Sequence, residues 1–528
     1  MKRLVLAAGV LLFGCALAFP QASYKVYTSP KLPARDALAR MSLVMAWNTR
    51  LQIDGRRDGI YSVQVIPGTA GAQIVAQTYA GMVYLFDADN GDLLWKTQVG
   101  VPYWTPQPAG YNTQSIFVTR RHVLHVLNRS TGRQRVYTFD PVTKDNVYGL
   151  PMDYAPSAAP VADDRRLHFS MGDWITTYYL PDFERLERLK LGRAQGNKEA
   201  IKELKEIYRD EEPPLDSPQP EFEWSHRITP ETTEFPPLFY EDRLSYLTSA
   251  GEFGWVNRTG GGARLELPPF KMGGRVLAAA GQYKQFAYVG SNDANLYAFN
   301  IDTGRLTWRY VSGAAIMQQP AVNDRDVYIA PERIGLRLVE RVSGREVWTN
   351  RDANRFLAVN DKYVYAMDKW GKFFVLDGQR GSTLAKYDLT DWAIAVANEW
   401  TDRVYLAAND GQIICLRNRD LTTPLVMKSP EVVKKIEPKK VAPKKEEMKD
   451  DENKDEKKDK KDADKKEDKK DADMKKEDKK DADKKDVDTI GRLQLLPKRL
   501  EMAARREPYV QAAFDWPALN DRRTWAGR

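Results

Sequence analysis

The sequence predicts an all-β fold, an eight-bladed β-propeller of four-stranded antiparallel blades, with seven blades as the nearest alternative count. Three observations predict it. First, a unit recurs: GMVYLFDADNGDLLWKTQVG at Gly81–Gly100 returns as ANLYAFNIDTGRLTWRYVSG at Ala294–Gly313. Second, each copy alternates apolar and other residues with period two on either side of a Gly turn, which excludes a helical solenoid. Third, equivalent positions fall near Gly81, Arg121, Gly172, Gly251, Ala294, Gly335, Gly371 and Gly411. Their spacing of roughly 40 residues is that of one blade.

The ends of the repeat array predict how the ring closes. The eighth repeat stops at Asn418-Arg419-Asp420 without an outer strand bearing Trp, whereas Leu43–Leu51 carries Trp47 and has no blade of its own. Joining the two completes the last blade and removes an exposed edge.

In chain order, residues 1–18 read as an export signal: Lys2-Arg3, an apolar Leu4–Phe13, and Ala16-Leu17-Ala18 before the cleavage point. Leu12-Phe13-Gly14-Cys15 also resembles a lipobox, so soluble export and a lipid anchor at Cys15 are both open. No later stretch has the length of a membrane span. Residues 19–42 form an extended N-terminal arm, and 43–424 the propeller. The eight repeats run Tyr61–Gly100, Ser115–Tyr137, Tyr154–Lys190, Phe235–Leu267, Ala294–Gly313, Met317–Trp348, Phe356–Asp388 and Ala393–Arg417. In the third, Pro181-Asp182 makes the outer turn. Pro160, Pro237 and Pro320 each stand just before a first strand, where the missing N–H costs no ladder bond.

An insertion at 192–222 separates the third and fourth blades. Within it, Asn197–Asp210 sets Ile201, Leu204 and Tyr208 on one helical face, followed by a Pro-rich segment. The helix is expected to pack outside the ring; a lid or docking role is the alternative. Residues 425–489 are a linker dominated by Lys, Asp and Glu that cannot bury enough apolar surface to order itself. Its charges nearly balance, so the net +8 of the 528-residue chain does not describe a polycation aimed at nucleic acid. Residues 490–528 hold a short amphipathic segment (Leu493, Leu496, Leu500, Met502, interrupted by Pro497). Phe514, Trp516 and Trp525 then sit among arginines, a composition suited to docking.

Little in the repeats points to chemistry. Asp87-Ala88-Asp89-Asn90-Gly91-Asp92 looks like a calcium loop but is one residue short and lacks the closing Glu, so it reads as a turn. His122 and His125 are placed three apart on a strand, on opposite faces, and His168 and His226 are isolated. Cys415, in an apolar run, is expected to be a buried small hydrophobe. Trp47, Trp95, Trp308 and Trp348 fall on outer strands and are expected to pack between blades; Trp255 falls on a different strand. No catalytic, cofactor-binding or metal residue is assigned. The loop Val101-Pro102-Tyr103-Trp104-Thr105-Pro106 and Gln318-Gln319 are candidates for a binding surface at the channel mouth.

The pattern Gly-apolar-apolar-Tyr-apolar-Phe-Asp…Gly-x-Leu-x-Trp resembles the tryptophan-docking repeat of pyrroloquinoline-quinone-type (PQQ-type) propellers. Gly81, Asp87, Gly91 and Trp95 carry it, as do Asn300, Gly304 and Trp308 and, in part, Gly335, Gly344 and Trp348. Blades two, three, four and seven lack the Trp. The resemblance implies one of two branches. Quinone-dependent dehydrogenases would bring PQQ and a calcium site of Glu, Asn and Asp, often with adjacent cysteines; no such set transfers to this chain. Non-catalytic propellers of the BamB type act in outer-membrane protein assembly. The reading is therefore a non-catalytic, exported, monomeric scaffold of the periplasm or cell envelope, binding envelope proteins and touching the membrane only through a Cys15 anchor or a partner. The alternatives are a PQQ-dependent dehydrogenase with an atypical site and a small-molecule sensor.

Overall fold

A computed structural model describes residues 29–54, 58–68, 71–100, 102, 106–138, 155–208, 220–228, 231–258 and 268–429. The export signal with Cys15, most of the charged linker and the segment 490–528 lie outside them.

Eight separate four-stranded sheets, every strand pair antiparallel, make eight blades. Blade 1 shows the pattern: Ile60–Pro67, Ala72–Thr78, Met82–Asp87 and Leu93–Gln98, from the axis outward. The burial of each strand follows from its place. The third strand, MVYLFD, buries four consecutive residues because a blade lies against each of its faces. The outer strand, LLWKTQ, buries only Trp95, since water reaches most of it.

The Asp87–Asp92 segment is the turn that its residues predict. The Asp87 carboxylate accepts from the Asp89 N–H at 2.8 Å, and the Asn90 side-chain oxygen accepts from the Asp92 N–H at 2.9 Å. Gly91 adopts φ +77° there. A side chain at Gly91 would also strike the Trp47 indole at 2.5 Å. Only glycine satisfies both demands.

That contact is the device joining the blades. Each docking indole lies on the next blade's outer turn and donates its N–H to a carbonyl there: Trp47 to Ala88 (3.0 Å), Trp95 to Arg129 (2.9 Å), Trp308 to Arg341 (3.1 Å) and Trp348 to Gly378 (3.0 Å). Trp224 does the same to Arg258 at 3.2 Å, so blade 3 has a docking Trp, against expectation.

The reason is a displaced insertion. Blade 3 comprises Val161–Ala162, Arg166–Met171, Trp174–Tyr179 and Glu221–Arg227. The insertion lies within this blade, between its third and fourth strands, rather than after it. It begins near Phe183, ahead of the expected 192, with α2 (Phe183–Ala194) and α3 (Lys198–Tyr208). Asp182, expected in a strand turn, caps α2 by accepting from the Arg185 N–H at 3.0 Å.

Three junctions lack a docking Trp and are filled otherwise. Between blades 2 and 3, Phe183 of α2 is buried with Phe117, Leu124 and Tyr178, and the Arg135 guanidinium lies over its ring at 4.8 Å. Between blades 4 and 5, Phe253 stacks on Phe299 with centroids 4.4 Å apart, beside Trp255. Between blades 7 and 8, the arm expected to be extended contains α1 (Arg35–Arg40), whose Leu38 is buried with Met41 and Trp392.

The ring closes as expected. Leu43–Arg50 pairs with Gln412–Asn418, from Leu43 opposite Asn418 to Arg50 opposite Gln412. Beyond blade 8 the ordered chain continues past 424 to Ser429 as a strap. The Asp402 N–H donates to Leu425 O at 3.2 Å while its carboxylate accepts from the Leu425 N–H at 2.9 Å, the Met427 N–H donates to Trp400 O at 2.8 Å, and Met427 joins the buried cluster of Tyr328 and Phe356.

Candidate functional site

In an antiparallel four-stranded blade, the turns between second and third strands share one rim with the connections to the next blade; the remaining turns form the opposite rim. The first, loop-bearing rim exposes large apolar side chains. Trp370 (65% exposed) and Tyr79 (42%) stand on second-to-third turns of blades 7 and 1, and Met317 (49%) and Leu277 (43%) on connections into blades 6 and 5. Around them are exposed cations, including Arg275 and Lys369, whose ammonium lies 4.8 Å from the Trp370 ring. Aromatic, Met and Arg side chains are the ones enriched at protein-binding surfaces. None of these residues is conspicuous in sequence, because exposure at a turn leaves no periodic signal.

The innermost strands are Ile60–Pro67, Gly110–Tyr111, Val161–Ala162, Leu238–Tyr240, Gly281–Tyr283, Ala321–Val322, Arg355–Val359 and Ile394–Val396. They crowd at the axis. A side chain at Gly110 would meet the Pro160 carbonyl at 2.2 Å, and one at Gly281 the Pro320 carbonyl at 2.4 Å. The prolines expected at strand entrances are thus one wall of a tight glycine contact. Glutamine amides tie neighbours together: Gln64 donates to Ala109 O at 3.1 Å and Gln282 to Phe239 O at 2.8 Å. These eight strands contain one charged residue, Arg355. A cavity of about 130 Å³ opens beside it, bounded by Gln318, Gln319, Tyr328, Phe356 and Ala395.

The sequence-predicted candidates separate accordingly. Gln318 and Gln319 line the cavity, and Gln319 is fixed by donation to Ala280 O at 3.1 Å. Of Val101–Pro106, only Pro102 and Pro106 are among the described residues, Pro102 exposed and Pro106 bridged to Arg120. His122 lies in an exposed turn, not on a strand as expected; His125 is buried on the strand Val123–Asn128, its Nδ1 2.9 Å from the Gln134 amide nitrogen. Burial first, and Arg120 second, push the His125 pKa down to about 4. His168 is fully buried with Nδ1 2.8 Å from Thr177 Oγ1, and burial holds its pKa well below the usual value. Neither reaches the channel cavity. Cys415 is buried in the core, where desolvation pushes its thiol pKa up and keeps it protonated.

The family model described as outer membrane protein assembly factor BamB matches residues 249–416, about a third of the chain. That span runs from the second-to-third turn of blade 4 into the Gln412–Asn418 strand of blade 8, with the docked Trp308 and Trp348. Over that span the chain is similar to PQQ-type repeat propellers. Two solved structures are similar to it. BamB from Moraxella catarrhalis is 13% identical, covers 71% of this chain and 97% of its own, and has a TM-score of 0.48. The computationally designed Ika8 protein is 13% identical, covers 69% and 98%, and has a TM-score of 0.48. No curated protein matches.

The quinone and calcium of some PQQ-type propellers call for a cluster of acidic donors. Among the described residues no three His, Cys, Asp or Glu side chains converge on one point, and the innermost strands of the ring carry no carboxylate. The described residues do not offer a calcium ion such a donor set. No helix among the described residues is long and apolar enough to cross a membrane.

Proposed function

We propose that this propeller is a non-catalytic scaffold of the cell envelope, exported by its N-terminal segment, that holds partner proteins on its loop-bearing rim. The observation carrying this reading is the set of exposed Tyr79, Leu277, Met317 and Trp370 on that rim. Large apolar groups standing free on a rigid ring are what an interface buries. The match of residues 249–416 to an outer-membrane assembly factor supports partner binding in the same compartment.

Photo-crosslinking in intact cells tests it. A crosslinker at Met317 or Trp370 is expected to capture discrete envelope proteins, and one at Val342, exposed on the opposite rim, to capture fewer. Capture only from Val342 overturns the assignment of the rim. Incubation with the quinone and calcium is expected to give no dye-linked alcohol or sugar oxidation; stoichiometric binding with turnover would overturn the non-catalytic reading.

A further inference from the structure

Arg355 stands where nothing in the fold explains it. It begins the innermost strand of blade 7, half-buried, and pairs through its backbone with Met367. Among the described residues its guanidinium has neither an ion-pair nor a hydrogen-bond partner, which sets it apart from the buried Arg403, held by Asp402 at 3.0 Å and donating to Thr422 O at 2.8 Å. The guanidinium stays open to the cavity and to water, so a small anion entering the cavity can reach it. The cavity it borders contains no acidic residue.

The rest of the wall is suited to one kind of anion. Gln318 presents an amide with no partner among the described residues, and Gln319 is already oriented by its bond to Ala280 O. Phe356 and Tyr328 supply an apolar side, and Ala395 leaves the facing strand of blade 8 without bulk. The volume of about 130 Å³ far exceeds the ~10–15 Å³ that one water needs. Met427 of the strap is packed in the same cluster as Tyr328 and Phe356, so both ring walls are fixed from behind.

We propose that Arg355 is the anchor of a carboxylate-binding site in the channel wall, pairing bidentately with the carboxylate of a small organic acid while Gln318 donates a further hydrogen bond. A single cation beside an amide and aromatic rings matches a monoanionic head with a short apolar stem. A phosphate dianion would call for a second cation, and the cavity has none. The site is independent of the rim: a propeller that binds no protein there could still hold the acid.

Isothermal titration and thermal unfolding of the full chain with sodium butyrate, succinate and phosphate, at matched ionic strength, test it. Butyrate or succinate is expected to bind and raise Tm, with Kd weakened at least about tenfold in Arg355→Gln and partly recovered in Arg355→Lys. Ala395→Leu, which fills the cavity and leaves Arg355 in place, is expected to abolish binding, and it serves if Arg355→Gln does not fold. Binding of a short peptide with a free C-terminal carboxylate but not its amide, lost in Arg355→Gln, would also support the site and assign its carboxylate to a polypeptide. Equal responses of wild type and both variants, a response to phosphate alone, or no binding of any carboxylate up to ~50 mM would overturn it.

Discussion

Trp95 and Gly132 show how tightly single residues are matched in this ring. The indole donates to Arg129 O, and a methyl group at Gly132 would lie 2.6 Å from the ring in a backbone of φ +69°. Trp95→Ala is expected to destabilise by about 3–5 kcal/mol, as removal of a buried Trp does. Gly132→Ala should cost more than about 1 kcal/mol. In the double variant the steric part disappears and only the φ strain remains, so urea unfolding should give a sum larger than the double-variant loss. The buried histidines set a pH dependence. Unfolded, His125 takes a proton near its ordinary 6.5; folded, it does so only at about 4. The unfolded chain therefore binds more protons between those values, and stability falls as pH drops through that window, by up to about 1.4 kcal/mol per pH unit for each such histidine. Urea unfolding between those limits should show a shallower slope in His125→Gln; an unchanged slope would contradict the assignment. Docking tryptophans, turn glycines and the buried Cys415 were legible because they recur or lie in apolar runs. Arg355 was not, since its meaning depends on knowing which strands are innermost.

Elements outside the repeat act where the repeat is defective. Helix α1, helix α2 and the strap after blade 8 each bring apolar side chains to a place the four-strand pattern leaves underfilled. The strap spans blades 8 and 6, because Met427 N–H bonds Trp400 O, Asp324 N–H bonds Met427 O, and Lys428 pairs with Glu399. A chain ending at Asp420 is therefore expected to be less stable than one ending at Ser429 by at least about 2 kcal/mol, the contribution of one buried Met alone. Calorimetry of the two decides it. Blade 3 marks the limit of reading elements from sequence. Its alternation stops at Tyr179 and resumes only at Glu221, in EFEWSHR, where Trp224 alone is buried. A strand so polar has no periodic signal of its own; it is defined by the blade that Trp224 docks onto. The helix α3 was legible because a full amphipathic face survives, with Leu204 buried, whereas α2 was read as the end of a hairpin.

For the whole molecule, the decisive feature is the strand Leu43–Arg50 lying beside the last blade. Deleting 43–50 would leave Gln412–Asn418 as an open edge, and the product is expected to associate, seen as loss of the monomer peak in gel filtration. A monomeric, cooperatively unfolding product would show that the remaining blades close without it. The eight-blade count and this closure were readable from the two chain ends, since an unpaired outer strand at one and a missing one at the other have one economical solution. Closure also fixes an order in time. Arg50 meets Asp410 across 360 residues of chain, and loop closure over that length must be complete before the contact returns any stability. A chain delivered from its N-terminus keeps its first strand waiting until its last blade has arrived. The closed ring is thereby evidence that the chain has been made through blade 8: a product interrupted before it keeps the strand Leu43–Arg50 unmatched, visible to proteases and unable to pass as native.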